Sequence, residues 1–86
     1  IMVFDCPDEI KGKVVEKIAE KLSNEGLEIS RLDGVKAYFE DGWILIRPSN
    51  TMPQIKMSVE AVTEERLREI VEYGKKLIVD TIKSIQ

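Results

Sequence analysis

The sequence has 86 residues, 43% of them hydrophobic and 34% charged, which is enough to bury one core but too little for two, and which excludes a disordered chain. Its 13 Lys and Arg residues against 16 Asp and Glu residues give a net charge of -3, so nucleic acid is excluded as a main partner for lack of positive charge. Histidine is absent, which excludes zinc chemistry and Ser-His or Cys-His catalysis within the chain.

The first third of the chain predicts a strand, a helix and a second strand. The apolar run at residues 1–4 is typical of a short strand, and Pro7 with Asp8 is typical of a helix start. The helix is expected to end near Gly26, which tolerates a positive φ, and a short strand is expected around residues 27–32. Hydrophobic residues recur between these limits at helical spacing: Ile10, Val14, Val15, Ile18, Ala19 and Leu22.

Three further strands are predicted in the middle of the chain. Asp33-Gly34 is a turn signal, after which residues 35–40 alternate between apolar and polar. Asp41-Gly42 predicts a tight hairpin with positive φ angles, leading into an apolar strand at residues 43–46. Residues 54–61 alternate again, so this strand also has one apolar face.

A long helix is predicted at the C-terminal end. Thr63 is a suitable N-cap, and Glu64 with Glu65 lies in the first turn. The spacing also resembles a coiled coil, but an apolar sheet face that needs a cover favours packing on the sheet. The predicted fold is α+β, with an antiparallel sheet of about four strands and both helices on one face, in a single domain over residues 1–86. The apolar positions of the helix are Leu67, Ile70, Val71, Gly74, Leu77, Ile78, Thr81, Ile82 and Ile85.

The sequence also carries signals about location. No apolar run approaches the roughly 20 residues that span a bilayer, and no signal-peptide pattern precedes Asp5. We therefore expect no membrane partner and a cytoplasmic protein. Cys6 cannot close an internal disulfide, and its apolar surroundings predict a packing role rather than a reactive thiol. The start in strand-like residues without Met is expected of a piece of a longer polypeptide.

The segment with the most chemical potential is the loop at residues 47–53. Arg presents a rigid fork of donors to phosphate oxygens, short polar side chains add neutral donors, and Pro48 and Pro53 restrict the flanks. The loop is therefore suited to binding an oxyanion. The alternative is that the Arg pairs with an acidic neighbour and that Ser-Asn-Thr builds an ordinary turn. The candidate binding residues are Arg47, Ser49, Asn50 and Thr51.

The remaining polar and aromatic residues give weaker signals. Lys56 is interpreted as a solvated charge on the polar face of a strand. Tyr38 and Trp43 are suited to stacking on a sugar ring, although packing explains them more simply. Glu60 and the pair at residues 64–65 lack the partners of a metal site. We therefore predict no catalytic residue and no metal ligand in this chain.

Residues 33–36, 41–51, 53 and 59–61 together resemble the C-terminal (fourth) domain of the α-D-phosphohexomutases, most closely the phosphomannomutase/phosphoglucomutase group. The similarity covers nearly the whole chain. It implies a TATA-binding-protein-like α+β unit that closes over an active-site cleft and grips the phosphate of the sugar substrate. The same resemblance implies that Arg47, Ser49, Asn50 and Thr51 bind that phosphate.

The resemblance further implies an enzyme that interconverts hexose 1-phosphate and hexose 6-phosphate through a bisphosphorylated intermediate. Its phosphoserine and its Mg²⁺-binding loop lie in other domains, so this domain is not expected to be active alone. The expected partners are a phosphosugar and the other domains of the same polypeptide. The chain departs from the family at Met52, where Glu is frequent, and at Lys56, where Arg is frequent. The same domain of a phosphoglucosamine mutase and a non-catalytic protein-interaction module are the alternatives.

Overall fold

The computed structural model describes all 86 residues, in which a five-stranded antiparallel sheet is covered on one face by two helices. The strand order is β1-β5-β4-β3-β2, so the first strand pairs with the last. The α+β prediction is confirmed, and the strand predicted at the N-terminus pairs with the free edge of β5, so the sheet has five strands instead of about four. The elements are β1 (Met2–Asp5), α1 (Asp8–Asn24), β2 (Glu28–Ser30), β3 (Val35–Phe39), β4 (Gly42–Pro48), β5 (Gln54–Ala61) and α2 (Glu64–Ile85).

The core lies between the helices and the sheet. Every fully buried apolar side chain belongs to one cluster that draws on both helices and on β3, β4 and β5. Gly74 brings α2 close to the sheet, because a Cβ atom there would lie 2.4 Å from Met57 Sδ and 2.5 Å from Ile44 Cδ1. The second helix therefore packs on the sheet, as predicted, and not in a coiled coil. Cys6 is 1% exposed, and burial raises the pKa of its thiol, in line with a packing role.

Both predicted helix ends are confirmed. Gly26 follows the end of α1 with a φ of +84°. At the start of α2, the Thr63 hydroxyl oxygen accepts a hydrogen bond of 3.1 Å from the backbone N–H of Arg66. Neither helix is long and apolar enough to cross a bilayer.

Replacing Thr63 with alanine is expected to lower the free energy of unfolding by about 1 kcal/mol, because the Arg66 N–H in the first turn of α2 loses its acceptor. Urea denaturation followed by circular dichroism measures this loss. Thr63→Ser keeps the hydroxyl and serves as the control, which we expect to stay close to the unsubstituted protein. Equal stability of all three proteins would contradict a capping role.

The turn between β3 and β4 differs from the prediction. Phe39 pairs with Gly42, so Glu40 and Asp41 form the connection, and neither they nor Gly42 have a positive φ. The prediction of positive φ angles at Asp41-Gly42 is therefore wrong. Gly42 is required for a different reason, since a Cβ atom there would lie 2.3 Å from the carbonyl oxygen of Glu60 on β5.

Candidate anion-binding site

The polar loop is held between the ends of two paired strands. Pro48 at the end of β4 pairs with Ile55 near the start of β5, and residues 49–53 connect the two strands. One step further along the strands, Arg47 pairs with Lys56, so both cationic side chains leave the same face of the sheet. The turn that precedes β3 lies on the other side of β4 and brings Asp33 beside Arg47.

The turn before β3 approaches β4 closely because of Gly34. Its φ is +64°. A Cβ atom at this position would lie 2.3 Å from the carbonyl oxygen of Ile46 and 2.6 Å from Cβ of Arg47. Only glycine fits this backbone and this distance. The residue therefore sets the position of Arg47 relative to the neighbouring turn.

These segments enclose a polar pocket of about 260 Å³ at one end of the sheet. Its volume is several times the roughly 30 Å³ that one water molecule occupies in the liquid. The structure thus brings the four predicted binding residues together in one concavity. The lining consists of Asp33, Arg47, Pro48, Ser49, Asn50, Thr51 and Lys56.

The charge in the pocket is positive, although the whole chain is negative. Arg47 and Lys56 contribute two cations against the one carboxylate of Asp33. Arg47 Nη1 donates a hydrogen bond of 2.9 Å to Asp33 Oδ2, so the ion pair proposed as the alternative explanation for Arg47 is present. The pairing uses one nitrogen of the Arg47 guanidinium, and the other donors of this group make no hydrogen bond within the chain. The Arg47 side chain is 42% exposed.

Ser49 has a structural role within the loop. It is only 3% exposed, and its hydroxyl oxygen accepts hydrogen bonds from the backbone N–H groups of Thr51, at 3.3 Å, and Met52, at 3.1 Å. The alternative that this segment builds a turn is therefore also correct. The turn and the pocket coexist, because the turn leaves the side chains of Asn50 and Thr51 exposed at the pocket.

Three residues of the site were missed or misread in the sequence. Lys56 lines the pocket instead of being only a solvated charge, and Asp33 does more than mark a turn. Counting outward from the loop at residues 49–53 would have placed Ile55 opposite Arg47, so the loop length alone gives the wrong partner for Arg47. No local signal identifies Lys11, whose ammonium group donates to the carbonyl oxygens of Ser49 at 2.6 Å and Met52 at 3.1 Å from the distant helix α1.

The two aromatic candidates lie away from the pocket. Tyr38 and Trp43 pair across β3 and β4, and Arg47 lies four positions further along β4 than Trp43, about 13 Å at the rise of a strand. The ammonium of Lys36 lies 4.3 Å from the Trp43 ring centroid and 5.3 Å from that of Tyr38. The rings therefore belong to a separate cation–π cluster.

The acidic side chains of the chain do not fit a metal site. No group of three or more Asp, Glu or Cys side chains comes together. The one carboxylate at the pocket, that of Asp33, faces a guanidinium. A divalent cation has no set of oxygen ligands here.

Together these features define a class of protein: a small α+β domain with a polar pocket at one end of its sheet that is lined by two cationic side chains and a polar loop. A family model described as "Phosphoglucomutase/phosphomannomutase, C-terminal domain" matches residues 3–74, and the chain belongs to this family. The family predicted from the resemblance is confirmed.

Relatives with similar sequences carry several phosphomutase names. A probable phosphoglucosamine mutase of Methanopyrus kandleri is 44% identical over 66 residues, which is 77% of this chain and 15% of that protein. A phosphoglucomutase/phosphomannomutase of Thermococcus kodakarensis is 43% identical over 70 residues, 81% of this chain and 15% of that protein. A phosphopentomutase of the same organism is 41% identical over 86 residues, 94% of this chain and 19% of that protein. The chain thus spans less than a fifth of the length of these relatives.

Proposed function

We propose that this domain binds the phosphate group of a phosphosugar within a phosphohexomutase that interconverts hexose 1-phosphate and hexose 6-phosphate. The observation that carries the proposal is the convergence of Arg47, Lys56 and the exposed polar residues of the loop on one small pocket. Arg47 supplies a fork of donors and Lys56 a second positive charge. Asn50 and Thr51 add neutral donors, and Ser49 retains its hydroxyl hydrogen as a further donor.

The role of such a domain is to position the substrate. Phosphoryl transfer depends on alignment and on neutralisation of charge, so a loop that grips the phosphate which does not react helps to align the one that does. The reacting groups and the Mg²⁺ of the full-length enzyme are proposed to lie outside this chain. A cytoplasmic location remains a prediction from the sequence.

The proposal rests on the phosphate of the substrate and not on its sugar. The relatives are named for glucosamine, glucose or mannose, and pentose phosphates. These ligands differ in the sugar and share the phosphate, and the two cations and polar side chains of the pocket support the phosphate as the bound group. We propose a hexose phosphate as the substrate class, and a glucosamine phosphate is the alternative within that class.

Titration of the ¹⁵N-labelled chain with glucose 1-phosphate or mannose 6-phosphate tests the proposal. The amide resonances of residues 47–51 are expected to shift, with a dissociation constant of roughly 1 mM or weaker, since a few charge-assisted hydrogen bonds are offset by the entropy lost on binding. Glucose is the control and should leave these resonances in place. The absence of any shift in the loop, together with shifts on the uncovered sheet face when candidate protein partners are added, would instead favour the interaction module.

A further inference from the structure

Lys11 joins helix α1 to the anion-binding loop although it does not line the pocket. Its ammonium group contacts three oxygens: the carbonyl oxygens of Ser49 and Met52, and Asp8 Oδ1 at 2.8 Å. The side chain is 19% exposed, so these contacts are made largely away from solvent. The ammonium thus makes two hydrogen bonds to the loop and one ion pair within its own helix.

The bond to Ser49 fixes the direction of the next peptide group. Every peptide bond in the chain is trans, and in a trans peptide the carbonyl oxygen and the following N–H point in opposite directions. Because the Ser49 carbonyl oxygen faces Lys11, the N–H of Asn50 points away from Lys11. No hydrogen bond within the chain uses that N–H, and Asn50 lines the pocket.

The second bond of the same ammonium group acts three residues further along the loop, at the carbonyl oxygen of Met52. A carbonyl oxygen carries partial negative charge and repels a phosphate if it turns toward one. Lys11 holds the Ser49 oxygen on the side of α1, and it shares the Met52 oxygen with the backbone N–H of Gln54, which donates to that oxygen at 2.8 Å. The Ser49 hydroxyl meanwhile holds the N–H groups of Thr51 and Met52 within the turn.

We propose that Lys11 is a positioning residue, which orients the backbone N–H of Asn50 toward the pocket as a donor to the bound phosphate and keeps two carbonyl oxygens away from it. This inference rests on the proposed phosphate-binding function. Lys11 touches the loop and not the ligand. The positive charge of Lys11 alone does not produce this effect. The effect requires the ammonium group to lie between α1 and the loop, where its bond to the Ser49 carbonyl oxygen sets the orientation of the peptide group.

The test compares Lys11→Met with Lys13→Met in a titration with inorganic phosphate at constant ionic strength. Lys13 is exposed on the same helix, and its substitution removes the same charge. Lys11→Met is expected to weaken phosphate binding about tenfold, roughly the loss of one hydrogen bond to a charged group. The phosphate-induced shift of the Asn50 amide should shrink, Lys13→Met should match the unsubstituted chain, and Lys11→Arg should recover part of the affinity.

Two results would overturn the inference: unchanged phosphate affinity in Lys11→Met, or an equal loss in Lys13→Met, which would show an effect of charge alone. If Lys11→Met does not fold, Asp8→Asn removes the carboxylate that orients the ammonium and should weaken binding in the same direction. If the unsubstituted chain shows no response to phosphate, the proposed function fails. In that case amide hydrogen exchange of Asn50 and Thr51 is compared, without ligand, between Lys11→Met and the unsubstituted chain. Equal exchange rates would overturn the positioning role of Lys11.

Discussion

Replacing Gly34 with alanine is expected to lower the free energy of unfolding by about 2 to 4 kcal/mol, the sum of backbone strain and overpacking. The added Cβ would meet backbone atoms of Ile46 and Arg47, which cannot rotate away as a side chain can. The turn and β4 must separate, and Arg47 moves with them. Urea denaturation followed by the fluorescence of Trp43, the only tryptophan, measures the loss, and circular dichroism provides a second probe.

Two other glycines serve as controls that separate the cost of backbone strain from the cost of overpacking. Gly26 has a φ of +84° and no atom within 4 Å of an added Cβ, so Gly26→Ala carries the strain without the collision and should cost less than Gly34→Ala. Gly12 lies inside α1, where an added Cβ also meets nothing and φ is not positive. Gly12→Ala should therefore stabilise the protein by up to about 1 kcal/mol through helix propensity. If Gly34→Ala proves no more costly than Gly26→Ala, the close approach of the turn to β4 is not maintained in solution.

Replacing Arg47 with methionine is expected to weaken phosphosugar binding about 10- to 100-fold, the equivalent of one charge-assisted hydrogen-bonded contact. Methionine keeps much of the aliphatic volume and loses the fork of donors. Arg47→Lys keeps the charge without the fork and should bind with intermediate affinity. Isothermal titration calorimetry or amide shifts with glucose 1-phosphate gives the constants.

The matched control for this substitution is Arg68→Met on the exposed surface of α2, which removes the same charge far from the loop in sequence. Its affinity should equal that of the unsubstituted chain. The free energy of unfolding of Arg47→Met gives a second check. It should fall by only about 0 to 1 kcal/mol, because Arg47 pairs with Asp33 at a partly exposed position, where ion pairs contribute little. Undiminished binding by Arg47→Met would rule out the guanidinium as the main phosphate contact.

Part of the site was predictable because its signals are local. Arg47, Asn50 and Thr51 were selected for donor chemistry within one short loop, and the structure places them on one pocket. Ser49 was selected for the same reason, yet its hydroxyl oxygen accepts two backbone N–H groups. The sequence could not distinguish donation to a ligand from acceptance within a turn, because serine does both.

The sequence alone determined the elements, their order and their buried faces. Hydrophobic periodicity reports which side of a helix or strand is buried, and the caps at Gly26 and Thr63 depend on neighbours within a few residues. Only the tertiary structure decided that Lys11 supports the loop, that Asp33 and Lys56 join Arg47, and that Gly42 is needed for space. Those contacts join distant segments of the chain, and they exist only once the strand register and the helix packing have brought the segments together.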